Sequence, residues 1–446
     1  MSVLKKEDNK VQSKYIKKHY ISSQNSAAVA PEEEPLSEPI ESSVVKESKY
    51  IKKAGREIGW RFEFNIDNPL VCIALASVIL GVYWLATSGF GGAFKFPEIH
   101  YGLACALPII LYLSRKRVYF SKHLKPVYAA LTVFACVIFI SYTKALNYDF
   151  MLKMILMVTP PLTASYIGYS TKCIKYTSYI YVGMSLFFVI DYAAGGITGG
   201  WNGNTVGMYT LFGVVWLVFL GADRGKRNII LEIIVYAVTV TQMIVTNCRS
   251  VLVSLILFAV FMYLVPKALL QKKLFFRPFY IAALILPFFM VIFMVWLFNS
   301  PYSAGLDEWS LEQTGKLFFS GREGIWSNIF DYVPEPIFGN GNFLIPTTPH
   351  NSFLNIFVQI GYSGYFLFLV YFACIFEFLH KFFDDYIVRG SFIAFIVVYI
   401  ANAFESILVA HYMLCTPAYL ILAVGIGRAC MLEKERNESV AVSEDV

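Results

Sequence analysis

The chain has 446 residues, of which 57% are hydrophobic and only 15% are charged, and its formal net charge is +6. A soluble domain carries about 25% charged and 45–50% apolar residues, so this composition excludes an ordinary soluble protein. The apolar residues occur in blocks of roughly 16–25, the length that a helix needs to cross a hydrocarbon core of about 30 Å. The eight cysteines are scattered, without CxxC pairs or Cys/His clusters. We therefore predict neither a disulfide framework nor a structural metal site.

The N-terminal segment, residues 1–65, differs from the rest because it is rich in Lys, Glu, Ser and Pro. Such a composition buries too little apolar surface to offset its ordering entropy, so we predict a mostly disordered cytoplasmic tail. It lacks the apolar h-region of a signal peptide. Ser13–Lys18 recurs as Ser48–Lys53, both with the sequence SKYIKK. This repeat either contacts an anionic membrane surface or docks a cytoplasmic partner.

The apolar blocks predict an all-α polytopic membrane protein with about twelve transmembrane helices within residues 66–428, followed by a cytoplasmic C-terminal tail, 429–446. Lysine and arginine are concentrated in alternate connections. The positive-inside rule places these connections and both termini in the cytoplasm. The predicted spans are Pro69–Ser88, Ile99–Ser114, Pro126–Thr143, Phe150–Ile167, Ile174–Ile190, Val206–Gly221, Ile229–Val245, Val251–Val265, Phe279–Phe298, Ser352–Leu379, Phe392–Leu408 and Tyr412–Gly427.

The longest predicted outer loop covers residues 299–350 and is too long to be a plain connector. Structureless loops above about 12–15 residues in a compact protein are usually functional or disordered. The stretch from Gly321 to Tyr332 contains helix formers and aromatic residues. We therefore expect a partly helical, ordered loop on the extracytoplasmic face.

Two arginines stand on the predicted outer side. A cation near membrane depth is costly without a partner, and a guanidinium donates two parallel hydrogen bonds that match a phosphate. Arg249 and Arg322 are therefore candidates to bind a pyrophosphate. The structural alternative is that Arg249 only reaches the membrane interface and that Arg322 pairs with Glu323 or Asp331.

His350 follows Pro349 at the predicted boundary between water and membrane, directly before the tenth span. An imidazole that titrates near neutral pH can remove a proton from a hydroxyl group, which makes His350 a candidate general base. The structural alternative is a residue at a helix start that hydrogen-bonds to its surroundings.

Four short motifs follow one another in this half of the chain. They are Thr246–Arg249 (T-x-C-R), Arg322–Trp326 (R-x-x-x-W), Gly339–Gly341 (G-x-G) and His350–Leu354 (H-N-x-x-L). In this order, on the predicted outer side, they resemble the O-antigen ligase and polymerase superfamily of membrane glycosyltransferases. The resemblance covers roughly residues 174–427, and the Gly-rich turn ending at Asn204 is similar to an Asn-bearing element of that family.

The resemblance implies a metal-independent, inverting glycosyltransferase without a cofactor, whose donor is a glycan on a polyprenyl (undecaprenyl) pyrophosphate. Its products would be surface polysaccharides such as O-antigen of lipopolysaccharide, capsule or exopolysaccharide. The expected partners are this donor, a glycan acceptor and the lipid bilayer, with no nucleic acid. The expected location is the bacterial cytoplasmic (inner) membrane, with the active site extracytoplasmic. The implied residues are His350 as general base, Arg249 and Arg322 for the pyrophosphate, and Asn204, Asn351, Gln359 and Trp326 as candidates for supporting roles.

The chain departs from the family pattern at two positions. Cys248 stands where the family usually has Ser, and Gln359 stands where a Glu commonly follows the histidine. If that Glu orients the histidine, Gln359 could do so by hydrogen bonds but not by charge. The acceptor also stays open, because a second lipid-linked repeat (polymerase), a final glycan acceptor (ligase) and a protein side chain (O-oligosaccharyltransferase) all suit the same donor. A multi-span transporter is the alternative from another class.

Overall fold

A computed structural model of the chain describes residues 69–88, 121–147, 171–196, 203–222, 229–319, 321–329, 335–341, 350–405, 408 and 412–444. All regular elements within these ranges are helical, as predicted for an all-α protein. The N-terminal tail with its repeat and two of the predicted spans, 99–114 and 150–167, lie outside the described residues.

Thirteen α-helices occur in the described residues. They are α1 (Pro69–Ser88), α2 (Lys125–Ala145), α3 (Thr171–Ala193), α4 (Gly203–Trp216), α5 (Ile229–Val245), α6 (Arg249–Ala259), α7 (Lys267–Leu270), α8 (Lys273–Phe298), α9 (Ser303–Thr314), α10 (Arg322–Ser327), α11 (Ser352–His380), α12 (Tyr386–Ala401) and α13 (Tyr412–Glu444). A 3-10 turn, Leu217–Ala222, continues α4, and a π turn, Val260–Leu264, continues α6.

Five helical segments of the described residues are long and apolar enough to cross a membrane. They are Lys122–Ala145, Thr171–Ala193, Lys273–Phe298, Ser352–His380 and Thr416–Ser439. The described residues also contain five shorter apolar helices of 10–17 residues, one before the first long segment and four between the long ones in sequence. These lengths fit a multi-pass membrane protein, and the number twelve stays a prediction.

Several predicted boundaries differ from the structure, and the two largest differences at a helix end concern α12 and α13. The helix predicted to end at residue 408 ends at Ala401, because the Asn402 side chain donates to the carbonyl oxygen of Val398 and accepts a hydrogen bond from the Leu408 N–H. Such side-chain bonds compete with continued helix. The last helix continues through Glu444, well past the predicted end near residue 427 and through most of the predicted tail.

The helices pack most extensively as the pairs α3 with α4, α12 with α13, and α2 with α11. Two buried side chains form hydrogen bonds between helices, and in the first the Trp216 indole donates to the carbonyl oxygen of Pro417 at 3.0 Å. The Tyr399 hydroxyl likewise donates to the carbonyl oxygen of Leu284 at 3.1 Å. Large apolar side chains on α5 and α8 remain exposed, among them Ile230 and Phe289. A bilayer would cover such faces, and it also demands that buried polar groups be satisfied internally.

Candidate functional site

Arg322 begins α10, and its side chain reaches the segment that follows α12. Its Nη1 donates to the carbonyl oxygen of Phe404, and its Nη2 lies 3.2 Å from Oε1 of Glu405. The Arg322 and Glu405 side chains are only 12% and 6% exposed. This is a buried ion pair, and Glu405 is a partner that the sequence did not suggest.

His350 lies directly before α11 and has a left-handed backbone, with φ of 47°. Burial lowers the pKa of its imidazole, and the positive charge of Arg322 lowers it further. A lowered pKa favours the neutral imidazole, the form in which a histidine accepts a proton.

Asn351 and Ser352 attach this end of α11 to the segment after α12. The Asn351 side chain caps α11 by accepting hydrogen bonds from the N–H groups of Phe353 and Leu354, and its amide donates to the carbonyl oxygen of Ala403. The Ser352 N–H and hydroxyl both donate to the carbonyl oxygen of Glu405 at 3.1 Å. Asn351 thus has a structural role, because an Asn cap satisfies the first backbone donors of a helix.

Asn204, in the first turn of α4, forms a side-chain hydrogen bond with Glu405. Burial raises the pKa of the Glu405 carboxyl, while Arg322 and a hydrogen bond from Asn204 act in the opposite direction. The Cys248 thiol lies 3.9 Å from the carbonyl oxygen of Asn204. Burial and the nearby Glu405 raise the pKa of Cys248 to about 12, so this cysteine is an unreactive thiol.

Arg249 is the first residue of α6 and contacts a different part of this end of the bundle. Its Nη1 donates to the hydroxyl of Ser310 at 2.9 Å, and its Nη2 donates to the carbonyl oxygen of Leu317 at 2.8 Å. Both partners are neutral. Asn247, with φ of 51°, donates to the carbonyl oxygen of Thr314 at 2.6 Å and so ties the same turn to the end of α9.

We call this end of the bundle the site end. It is formed by the first turn of α4, the turn 246–249, helices α9 and α10, residues 350–352 and residues 402–405. Within it, Arg322, Glu405 and His350 form one group, and Asn204 joins this group through Glu405. Arg249 follows Cys248, whose pKa is raised by burial and by Glu405 of this group. The Arg249 guanidinium itself bonds to Ser310 on α9.

Two of the candidate supporting residues are buried. Trp326 is 1% exposed and packs on Phe404 with ring centroids 6.5 Å apart, so its indole anchors α10. Gln359 is fully buried, and its amide forms no hydrogen bond among the described residues. His350 is among the described residues, so the Gln359 amide does not bond to its imidazole in this structure.

The G-x-G motif has a structural explanation in the break of α11. Gly361 has φ of 66° and ψ of −168°, which interrupts the helix and frees backbone groups on both sides. The carbonyl oxygens of Val358 and Gln359 accept hydrogen bonds from the N–H groups of Asn340 and Gly341. The segment 335–341 thus replaces lost helical bonds of α11, as a buried helix break requires.

The other side of the break is bonded to the same segment. The N–H groups of Tyr362 and Ser363 donate to the carbonyl oxygens of Pro336 and Ile337 at 2.8 and 3.1 Å. A Cβ at Gly339, whose φ is 67°, would lie 2.5 Å from backbone atoms of residues 359 and 360. Only glycine combines this backbone conformation with such a close approach.

Sequence reasoning missed two charged residues of the site end. Glu405 was placed inside the eleventh predicted span, where a single acidic residue near the end of an apolar block was the available signal. Lys316 was overlooked although it stands in the predicted outer loop, which is otherwise poor in lysine. In the described part of the chain no group of three or more His, Cys, Asp or Glu residues could hold a metal ion.

No protein-family model matches the chain, and no curated protein matches it. The resemblance to the O-antigen ligase and polymerase superfamily therefore stays an interpretation of the motifs. The geometry of the site end has to carry any functional argument.

Proposed function

We propose that this protein is a membrane glycosyltransferase that moves a glycan from a polyprenyl-pyrophosphate donor to a sugar hydroxyl. It acts as a surface-polysaccharide polymerase or ligase on the extracytoplasmic side of a bacterial cytoplasmic membrane. The observation that supports the proposal is a buried Arg–Glu pair at one end of an apolar helical bundle, whose arginine acts with burial to lower the pKa of His350. A histidine whose pKa is lowered beside an arginine is a functional candidate on physical grounds.

In the proposed reaction His350 is the general base. Its neutral imidazole takes the proton of the acceptor hydroxyl as the hydroxyl oxygen forms a bond to the anomeric carbon of the donor sugar. The bond from that carbon to the pyrophosphate oxygen breaks at the same time, and its electron pair leaves with the pyrophosphate. One displacement of this kind inverts the anomeric configuration.

The two arginines stabilise the leaving group in this scheme. Pyrophosphate leaves readily once its negative charge is neutralised, and preorganised donors aimed at developing charge are an effective way to do so. Among the described residues the hydrogen-bond partners of Arg249 are neutral, so its charge is available to an anion. Arg322 shares its charge with Glu405, which fixes the guanidinium beside His350 before the donor binds.

A transporter remains the second candidate because of one observation, the break of α11 at Gly361. Discontinuous helices expose backbone groups that bind ions or substrates in transporters. In this structure the freed groups of residues 358, 359, 362 and 363 are bonded to the segment 335–341. They are occupied, so the break supports the transporter less than the site end supports the glycosyltransferase.

The proposal is tested with purified protein, a polyprenyl-pyrophosphate-linked oligosaccharide and gel analysis of the products. His350→Ala should abolish transfer while the protein keeps its elution profile and thermal stability. His123→Ala is the matched control, since His123 is an exposed histidine outside the site end. Wild-type turnover by the His350→Ala protein would refute the proposed base.

A further inference from the structure

Lys316 is a second cation with neutral partners on the α9 side of the site end. Its Nζ donates to the carbonyl oxygen of Thr246 at 2.9 Å and lies 3.4 Å from that of Asn247. These are residues of the turn that leads into Arg249. Lys316 is exposed, so a ligand can reach its ammonium group.

One buried hydroxyl connects Lys316 to Arg249. Ser310 is fully buried, and its hydroxyl accepts from Nη1 of Arg249 and donates to the carbonyl oxygen of Lys316 at 2.8 Å. The neighbouring carbonyl, that of Leu317, accepts from Nη2 of Arg249. The two cationic side chains are thereby held on one rigid junction between the turn 246–249 and residues 310–317.

The charges of the site end indicate what this junction binds. Arg322 is paired with Glu405, whereas the hydrogen bonds that Arg249 and Lys316 make among the described residues all go to neutral oxygen atoms. A sugar linked to a lipid through pyrophosphate carries two negative charges near pH 7. Arg249 and Lys316 together match this charge in number, whereas Arg249 alone leaves one charge unneutralised.

We propose that Lys316 binds the donor pyrophosphate together with Arg249, so that these two residues take the two phosphate charges and the Arg322–Glu405 pair positions the group beside His350. This inference rests on the proposed function. A purely structural alternative is that Lys316 only caps the carbonyl end of α5, where a cation is favourable.

The experiment measures binding of two probes to the full-length protein in nanodiscs. One probe is a polyprenyl-pyrophosphate-linked sugar, with two negative charges, and the other is the corresponding polyprenyl-phosphate-linked sugar, with one. Lys316→Ala should weaken binding of the first probe about tenfold, because the charge-assisted hydrogen bond from Lys316 to its second phosphate is lost. Binding of the second probe, which lacks that phosphate, should weaken less than about threefold. Lys316→Arg should keep most of the affinity.

Lys144→Ala is the matched control, because Lys144 already pairs with Glu335 and holds the carbonyl oxygen of Gly339. It should bind both probes as the wild type does. Equal affinity of the Lys316→Ala and wild-type proteins for the first probe would overturn the inference and leave the proposed function standing. An equal loss for both probes with a lower thermal midpoint would also overturn it, in favour of capping. A wild-type protein that binds neither probe would contradict the proposed function itself.

Discussion

The ion pair between Arg322 and Glu405 makes a quantitative prediction about stability. Arg322→Met would leave the Glu405 carboxylate, only 6% exposed, without its cation, and it would remove the donor from the carbonyl oxygen of Phe404. Removing one partner of a buried pair costs about 3–5 kcal/mol, since the remaining charge is left uncompensated. We expect a loss of this size in the free energy of unfolding. Arg249→Met should cost less, about 1–2 kcal/mol, because its partners are neutral.

A double-mutant cycle separates the energy of the Arg322–Glu405 interaction from the other effects of each substitution. Glu405→Gln alone removes the carboxylate charge, and the double variant Arg322→Met/Glu405→Gln removes both charges together. Unfolding of each protein is followed by circular dichroism in mixed micelles of increasing denaturing detergent. The double variant should be more stable than the sum of the single losses implies, with a coupling of about 1–3 kcal/mol. Losses that add to within about 0.5 kcal/mol would refute a buried ion pair.

Three other predictions concern the base, the pyrophosphate and the helix break. Burial and Arg322 lower the pKa of His350, so the acid midpoint of kcat/KM against pH should lie below the usual 6.5. The midpoint should rise in Arg322→Met, because this substitution removes the charge but not the burial. An unchanged midpoint in Arg322→Met would contradict the effect of the arginine. Arg249→Lys should lower kcat/KM at least about tenfold through the loss of bidentate contact, and full activity would show that charge alone suffices. Gly339→Ala should destabilise the protein by several kcal/mol more than Gly195→Ala. Both glycines have φ near 67°, but only at Gly339 would an added Cβ lie 2.5 Å from backbone atoms. Equal losses of thermal stability in the two variants would argue against the close approach.

Long apolar blocks were the part of the fold that the sequence predicted well. The bounds of α1 and α5 agree with the predicted Pro69–Ser88 and Ile229–Val245, because hydropathy changes sharply at their ends. The predicted end of α12 was wrong because the helix end depends on the side chain of Asn402. This side chain bonds to Val398 within the helix, to Leu408 beyond it, and to Ser352 on another helix. A pattern of apolar residues carries no information about such a tertiary contact.

The sequence selected Arg322 and His350 because both stand in unusual local contexts next to a membrane helix. In the structure the charge of Arg322 contributes to lowering the pKa of His350, and the role of both residues stays a prediction. Glu405 could not be paired with Arg322 from the sequence, since the two are 83 residues apart and meet only through the fold. Gln359 was given a supporting role by analogy, and its amide has no hydrogen-bond partner among the described residues.

The structure gives a reason for the G-x-G motif that the sequence alone did not indicate. The sequence placed Gly339 and Gly341 in a turn of the outer loop, and their real constraint is the broken helix α11. The backbone of 335–341 must approach that break closely enough to bond to it, which a Cβ at Gly339 would prevent. Neither the break at Gly361 nor its partner segment follows from local propensity.

The most direct test of the proposed function is incubation of the purified full-length protein with a polyprenyl-pyrophosphate-linked oligosaccharide, followed by gel analysis and by measurement of the released polyprenyl pyrophosphate. The proposed function predicts that the donor is consumed, that one polyprenyl pyrophosphate is released for each glycosidic bond formed, and that the His350→Ala protein does neither. A ladder of products would identify a polymerase, and a single transfer to an added acceptor would identify a ligase. An intact donor after incubation with folded wild-type protein and a range of glycan acceptors would contradict the assignment.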